Sequence, residues 1–290
     1  MMRARELAAA AASPSYRRWR GLLRSLQFDP DSYPGPWREP GPRDFIICGV
    51  PRSGTALLTA ALFQPPQIVT VMEPWDAFRM PPADLFESLR VEINTTKVLS
   101  RGRLDIARLV EHGLVRWCRD GERPYPVDVD ADHVLGVKFP AFWRYLDRLP
   151  NTKFLVCLRH PKDVVRSFRK TGGALGSGLD YDIPFNRRMN TELRAATADS
   201  RVRRVLLYDY INKHVIGHLD RPNVFPVHYE RWFEEPRQLL DDIGEFLGVD
   251  LAPSRATLRP PQPYAESDPS EDALLQRYCH TARSLGYELH

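Results

Sequence analysis

Arg52, Ser53, Gly54 and Thr55 put a guanidinium, two hydroxyls and a glycine into four consecutive positions. That set suits an anion. The guanidinium and hydroxyls supply charge-assisted donors, and the glycine lets the backbone come close to a ligand. A second set stands further along: Arg159, with Ser167 eight positions later, again combines a forked cation with one hydroxyl. Between the two sets lie a carboxylate, Glu73, and an ammonium, Lys138, each placed directly after a short apolar run.

The surrounding sequence supplies elements to position these groups. Phe45 to Val50 reads as a buried strand of a parallel sheet, and Ala56 to Phe63 reads as a helix after a tight Pro-Arg-Ser-Gly-Thr turn. The N–H groups of Gly54, Thr55 and Ala56 then enter the helix at its positive end, the usual arrangement for holding phosphate. Gln64-Pro65-Pro66 stops that helix, and Ile68 to Met72 reads as a second strand ending in Glu73-Pro74-Trp75. A carboxylate at a strand's C-terminal end lies on the ligand side of an open parallel sheet. His133 to Val137 reads as a third strand, ending in Lys138-Phe139-Pro140 and followed by a helix over 142–149. Thr152 to Leu158 reads as a fourth, closed by Arg159, with Pro161 near the start of the next helix. Ser167 then lies about two turns into that helix, where it and Arg159 can converge on one phosphate. Arg166, Arg169 and Lys170 give the competing reading, a helix with a solvated basic face.

The rest is organised around this frame. Residues 1–43 form an N-terminal extension, with a helix over Tyr16 to Leu26 and a Pro-rich connector from Pro30 to Pro42. Residues 44–290 make one α/β domain. Residues 79–130 read as a helical insertion, with an amphipathic stretch near Leu85 to Ile93 and a helix over Leu104 to Cys118. The glycines of 171–200 suggest a mobile loop over the bound ligand. A helix over Val202 to His218, a strand over Asn223 to Glu230, a helix from Arg237 to Leu247 and a closing helix from Ala273 to Leu285 complete the expectation.

The first loop is not a Walker A sequence, which needs Gly-Lys-Ser/Thr after its spacer; the nearby cation here is Arg52. Pro-Arg-Ser-Gly-Thr instead resembles the 5′-phosphosulfate loop of sulfotransferases that use 3′-phosphoadenosine 5′-phosphosulfate (PAPS). Phe154 to Phe168, with Arg159 and Ser167 at their spacing, resembles the 3′-phosphate motif of the same family. The strand ending Tyr229-Glu230 and the helix ending Glu-Phe-Leu-Gly248 are similar to its C-terminal half, so the resemblance runs from about residue 44 to the C-terminus.

The resemblance implies a P-loop-NTPase-like fold, a central parallel sheet flanked by helices. It also implies an enzyme that moves a sulfuryl group from PAPS to a hydroxyl or amine. Arg52, Ser53, Gly54, Thr55 and Ala56 would hold the 5′-phosphate, Arg159 and Ser167 the 3′-phosphate, and Tyr229 would line the nucleotide pocket. Small-phenol members carry a base His in a Lys-Thr-His-x-Pro segment. The comparable stretch here, Gly136-Val-Lys-Phe-Pro140, has none, so Glu73 is the expected base, as in tyrosylprotein and bacterial carbohydrate members. Lys138 would support the sulfuryl oxygens, His133 is the runner-up base, and Trp75 is a candidate pocket wall. The less charged sulfuryl group leads to no expected metal requirement. The acceptor expected is a carbohydrate, glycolipid or secondary metabolite.

Composition is compatible with this reading. Apolar content of 43% and charged content of 27% are those of a globular protein, and a net charge of +4 is too weak to argue for nucleic acid. Cys48, Cys118, Cys157 and Cys279 are widely separated and suggest neither a disulfide framework nor a zinc site. No apolar stretch approaches the roughly 18 residues of a membrane span, and the expected compartment is the cytoplasm. Two alternatives stand beside the main reading: a kinase or NTPase with a degenerate loop, and a non-catalytic nucleotide-binding protein of the same fold.

Overall fold

The computed structural model of the chain describes residues 28–99, 125–251 and 268–289. In chain order the elements are β1 (Phe45–Gly49), α1 (Thr55–Ala61), β2 (Ile68–Met72), α2 (Pro82–Thr96), β3 (Val98–Leu99), β4 (Tyr125–Pro126), β5 (Val134–Lys138) and β6 (Lys153–Leu158). They continue with α3 (Pro161–Thr171), α4 (Gly173–Gly176), α5 (Arg187–Ala196), α6 (Ser200–Ile216), β7 (Val224–His228), α7 (Arg231–Glu234), α8 (Pro236–Leu247) and α9 (Pro269–Tyr278). β3 and β4 form a small antiparallel pair.

The main sheet has five strands in the order β2-β5-β1-β6-β7, with every neighbouring pair parallel. Strands covered on both faces are apolar at most positions, and β1, β2 and β5 are buried along their whole length, with Thr70 and Lys138 as the polar exceptions. Successive residues serve opposite layers. Ile46, Cys48, Val69, Val71, Leu135, Val137, Phe154 and Val156 pack with α2, α3, α6 and α9. Phe45, Ile47, Ile68, Val134, Leu155 and Cys157 pack with α1 and α8 on the other face. The result is three layers, helix on sheet on helix.

Connections decide where a ligand can sit. From β1 the chain crosses to β2 on one side, whereas from adjacent β6 it crosses to β7 on the other. Two neighbouring strands whose connections diverge leave a crevice at their C-terminal ends. β1 and β6 are the strands that carry the two anion motifs.

The connector packs on the domain through aromatic rings: Trp37 meets Tyr145 at 5.4 Å and Phe28 meets Phe185 at 6.3 Å between centroids. Three segments differ from the sequence expectation. The helix expected over 142–149 is a 3-10 helix, Pro140–Tyr145, whose residues other than Arg144 are buried. Aromatic contacts on several sides leave no polar face for a longer amphipathic helix. Residues 171–200 are mostly helical rather than an open loop. Arg203 Nε donates to the Ser177 carbonyl at 2.7 Å and Arg204 to the Gly176 carbonyl at 2.9 Å, fixing the glycines on α6. The closing helix is α9 followed by a 3-10 turn, Arg283–Leu285. The helices expected over 16–26 and 104–118 lie outside the described residues.

Candidate functional site

Sheet register brings the singled-out residues to one edge. Met72 pairs with Lys138, Ile47 with Lys138, Gly49 with Cys157, and Leu158 with His228. Glu73, Lys138, the loop after Gly49, Arg159 and Tyr229 therefore all leave the sheet on its C-terminal side. Two close approaches shape the loop. Gly49, at φ 134°, lies where a Cβ would come within 2.5 Å of the Cys157 carbonyl oxygen. Gly54, at φ 101°, caps α1 and lies against Tyr229, whose ring a Cβ would meet at 2.5 Å. Both positions therefore require glycine.

Arg52 and Glu73 are two of the three non-glycine residues with positive φ among the described residues, at 75° and 50°. Such backbone costs of order 1–3 kcal/mol and collects at functional sites. At Glu73 it is held by the Glu73 N–H donating to the Lys138 carbonyl at 2.7 Å.

The two anion motifs meet. Arg52 Nε donates to Ser167 Oγ at 2.9 Å, and Arg159 Nη1 donates to the Arg52 carbonyl at 3.3 Å. The Arg159 guanidinium lies 4.0 Å over the Tyr229 ring, with Nη2 3.4 Å from Asp163. Tyr208 donates to the Arg159 carbonyl at 2.9 Å and fixes the strand end. Ser53 Oγ and Arg159 Nε are buried and find no hydrogen-bond partner among the described residues. Buried donors without partners are costly, and two of them at the adjacent strand-to-helix junctions of β1 and β6 suit an anion. Ser53, Thr55, Arg159 and Ser167 are buried, while Arg52 is exposed. Arg166, offered by the alternative as part of a solvated face, is buried against Glu271 on α9 at 3.5 Å.

Beside this cradle Lys138 Nζ forms a buried ion pair with Glu73 Oε1; the side chains are 5% and 10% exposed. Asp180 was not singled out by the sequence. It is wholly buried, and burial pushes its carboxyl up to about 6, helped by the negative charge of Glu73 and opposed by Arg144 and Lys138. Asn190 accepts from the Asp180 N–H at 3.0 Å, and Asp180 Oδ1 accepts from the Tyr181 N–H at 2.7 Å. A lone Asp beside a glycine-rich segment carries no signal in sequence; α5 and α6 packing brings it inward.

His133 lies elsewhere. It precedes β5, at the N-terminal edge of the sheet, with Nδ1 2.9 Å from the Asp130 carbonyl, while Lys138 ends that strand at the other edge. Burial lowers its imidazole below the usual range. It is thus removed as the runner-up base. Cys48 and Cys157 are buried in β1 and β6, and burial pushes the Cys157 thiol up to about 12.

Residues 43–253 match the model of the Sulfotransferase family. No curated protein matches the sequence. Among solved structures, the sulfotransferase domain from the curacin biosynthetic pathway is 17% identical, covering 87% of this chain and 100% of its own, with a TM-score of 0.46. The sulfotransferase domain from the Synechococcus PCC 7002 olefin synthase is 18% identical, covering 88% and 100%, at 0.45. A sulfotransferase from Alicyclobacillus acidocaldarius is 18% identical, covering 87% and 98%, at 0.44.

Proposed function

This chain belongs to the sulfotransferase family, and from that premise we propose that it transfers the sulfuryl group of PAPS to an acceptor hydroxyl with Glu73 as general base. The observation that carries the proposal is the junction of Arg52, Ser167 and Arg159 at the crevice between β1 and β6. Two cationic forks and two hydroxyls, one of them on Ser53 without a partner among the described residues, suit a nucleotide bearing a 5′-phosphosulfate and a 3′-phosphate.

Sulfuryl transfer resembles phosphoryl transfer in its loose, in-line transition state, so catalysis rests on positioning and on charge. The N–H groups of Gly54, Thr55 and Ala56, with Ser53 and Arg52, hold the 5′-phosphate. Arg52 neutralises the charge that develops there as the S–O bond breaks. Arg159 and Ser167 hold the 3′-phosphate, and Tyr229, already stacked under Arg159, forms a wall of the nucleotide pocket. Glu73 accepts the acceptor's proton as the hydroxyl attacks sulfur. Lys138, ion-paired with Glu73, offers a positive charge to the sulfuryl oxygens.

Residues 44–290 act as one catalytic domain in this reading. The acceptor is a carbohydrate, glycolipid or secondary metabolite, since the stretch 136–140 has no imidazole and the base is the carboxylate of Glu73. No helix among the described residues is long and apolar enough to cross a membrane.

Calorimetric titration with adenosine 3′,5′-bisphosphate, adenosine 5′-phosphate and magnesium ATP tests the proposal. Tight binding of the bisphosphate over the other two is expected. A preference for magnesium ATP would overturn it in favour of a kinase or NTPase.

A further inference from the structure

Away from the crevice, Asp147, His214 and His218 form a cluster that sulfuryl transfer does not use. Asp147 lies in the turn after the Pro140–Tyr145 helix. His214 is in the last turn of α6, and His218 is just past its C-cap Gly217. Their spacing of four places both imidazoles on one side of the chain's exit from the helix. His218 Nε2 is 3.0 Å from Asp147 Oδ1, and His214 Nε2 is 3.4 Å from Asp147 Oδ2. The three candidate ligand atoms all lie within 4.8 Å of one another.

We propose that Asp147, His214 and His218 form a binding site for a divalent transition-metal ion of the zinc class, tying the turn after β5 to the C-terminus of α6.

A hydrogen-bonded cluster alone leaves the geometry incompletely explained. A proton on His218 Nε2 accounts for the 3.0 Å contact to Asp147. It leaves His214 Nε2 buried, aimed at the same carboxylate and without a hydrogen-bond partner among the described residues. One metal ion would satisfy all three atoms together. Bonds of about 2.0–2.2 Å in a tetrahedron set ligand atoms about 3.3–3.6 Å apart, and the contacts of 3.0 and 3.4 Å, made to the two different oxygens of Asp147, lie near that spacing. Two imidazoles and one carboxylate are a donor set that suits zinc, with a fourth position left for water.

The electrostatics are mixed and set the strength. Arg221 acts electrostatically on both imidazoles, and Arg144 acts on His214. Those two arginines also repel a cation, while the negative end of α6 and Asp147 attract one. His218 Nδ1 has no acceptor among the described residues, and a ligand imidazole lacking that support binds about 10–100-fold less tightly. Affinity in the micromolar range is therefore expected, below that of a closed structural zinc site.

Untagged protein, stripped with a chelator, should be titrated with Zn2+ against a chromophoric competitor and, separately, with Co2+ followed by absorption. One site per chain with tetrahedral cobalt bands is expected. His218→Gln should weaken zinc by at least about tenfold, and the double variant His214→Gln/His218→Gln should abolish it. Because the imidazoles are part of the packing, Asp147→Asn provides a second test at a half-exposed position; it should weaken zinc by about tenfold while leaving the circular dichroism unchanged. Absence of zinc binding to the native chain would overturn the site, as would unchanged affinity in Asp147→Asn or in the double variant.

Discussion

Replacing Arg159 by Met separates two roles that the geometry allows. Methionine keeps an apolar stem against the Tyr229 ring, on which the guanidinium now lies at 4.0 Å, and removes only the charged fork. In the free protein that fork makes long contacts: 3.4 Å to Asp163, 3.3 Å to the Arg52 carbonyl, and, among the described residues, no hydrogen bond from Nε. A 3′-phosphate would replace them with charge-assisted bonds of about 2.7–2.9 Å, each contributing about 1.5–3 kcal/mol net. The Arg159 side chain is only 10% exposed, so solvent screening is slight. The contact given up to Asp163 offsets less than about 1 kcal/mol. The expected loss is about 2–4 kcal/mol, or about 30- to 1,000-fold in Kd for adenosine 3′,5′-bisphosphate. Adenosine 5′-phosphate, which lacks the 3′ group, should change by less than about threefold. Calorimetry on both ligands with both proteins gives the four numbers needed. Equal weakening of the two nucleotides would refute the reasoning, because it would mean that Arg159 acts by holding the Arg52 carbonyl and thereby the loop.

Glu73→Gln should leave bisphosphate affinity intact and reduce turnover by about 10²–10⁴ in a sulfuryl-transfer assay with a responsive acceptor; full turnover would move the base elsewhere. Gly54→Ala places a Cβ 2.5 Å from the Tyr229 ring at φ 101°. It should destabilise the protein by about 1–3 kcal/mol and weaken nucleotide binding, and an unchanged melting curve and titration would contradict the close approach. Asp180→Asn tests a pH effect. A carboxyl raised from 3.8 to about 6 binds more protons folded than unfolded, so its contribution to stability falls as pH rises through that window. The variant should therefore gain about 3 kcal/mol relative to the native chain between pH 4 and pH 7 in denaturant unfolding, and a pH-independent difference would refute this.

Some of this was legible in sequence because the physics is local. β1, β2 and β6 are apolar apart from Thr70 and the opening Lys153, and Gly54 marks a turn that no other residue enters without strain. The pairing of Glu73 with Lys138 was not legible. It depends on β5 entering the sheet between β1 and β2, which no local pattern specifies. Nor was Asp180, which lies inward only because α5 and α6 enclose it. The glycines of 171–178 misled for a physical reason: Gly178 serves close packing rather than mobility, since a Cβ there would meet the Arg203 backbone at 2.6 Å. The segment after β5 misled because burial on every side erases helical periodicity.

The central place of β1 also bears on how the chain is made. Its two neighbours, β5 and β6, are synthesised long after it, and β2, the next strand to emerge, never pairs with it. Until Lys138 and Leu158 have left the ribosome, Phe45–Gly49 is an uncharged apolar strand with both edges open. Such a strand is a template for aggregation, and the non-local pairing that resolves it forms slowly. Chains truncated between α2 and β6 should consequently be insoluble, and the full-length protein should depend on chaperones during synthesis well before any nucleotide can bind.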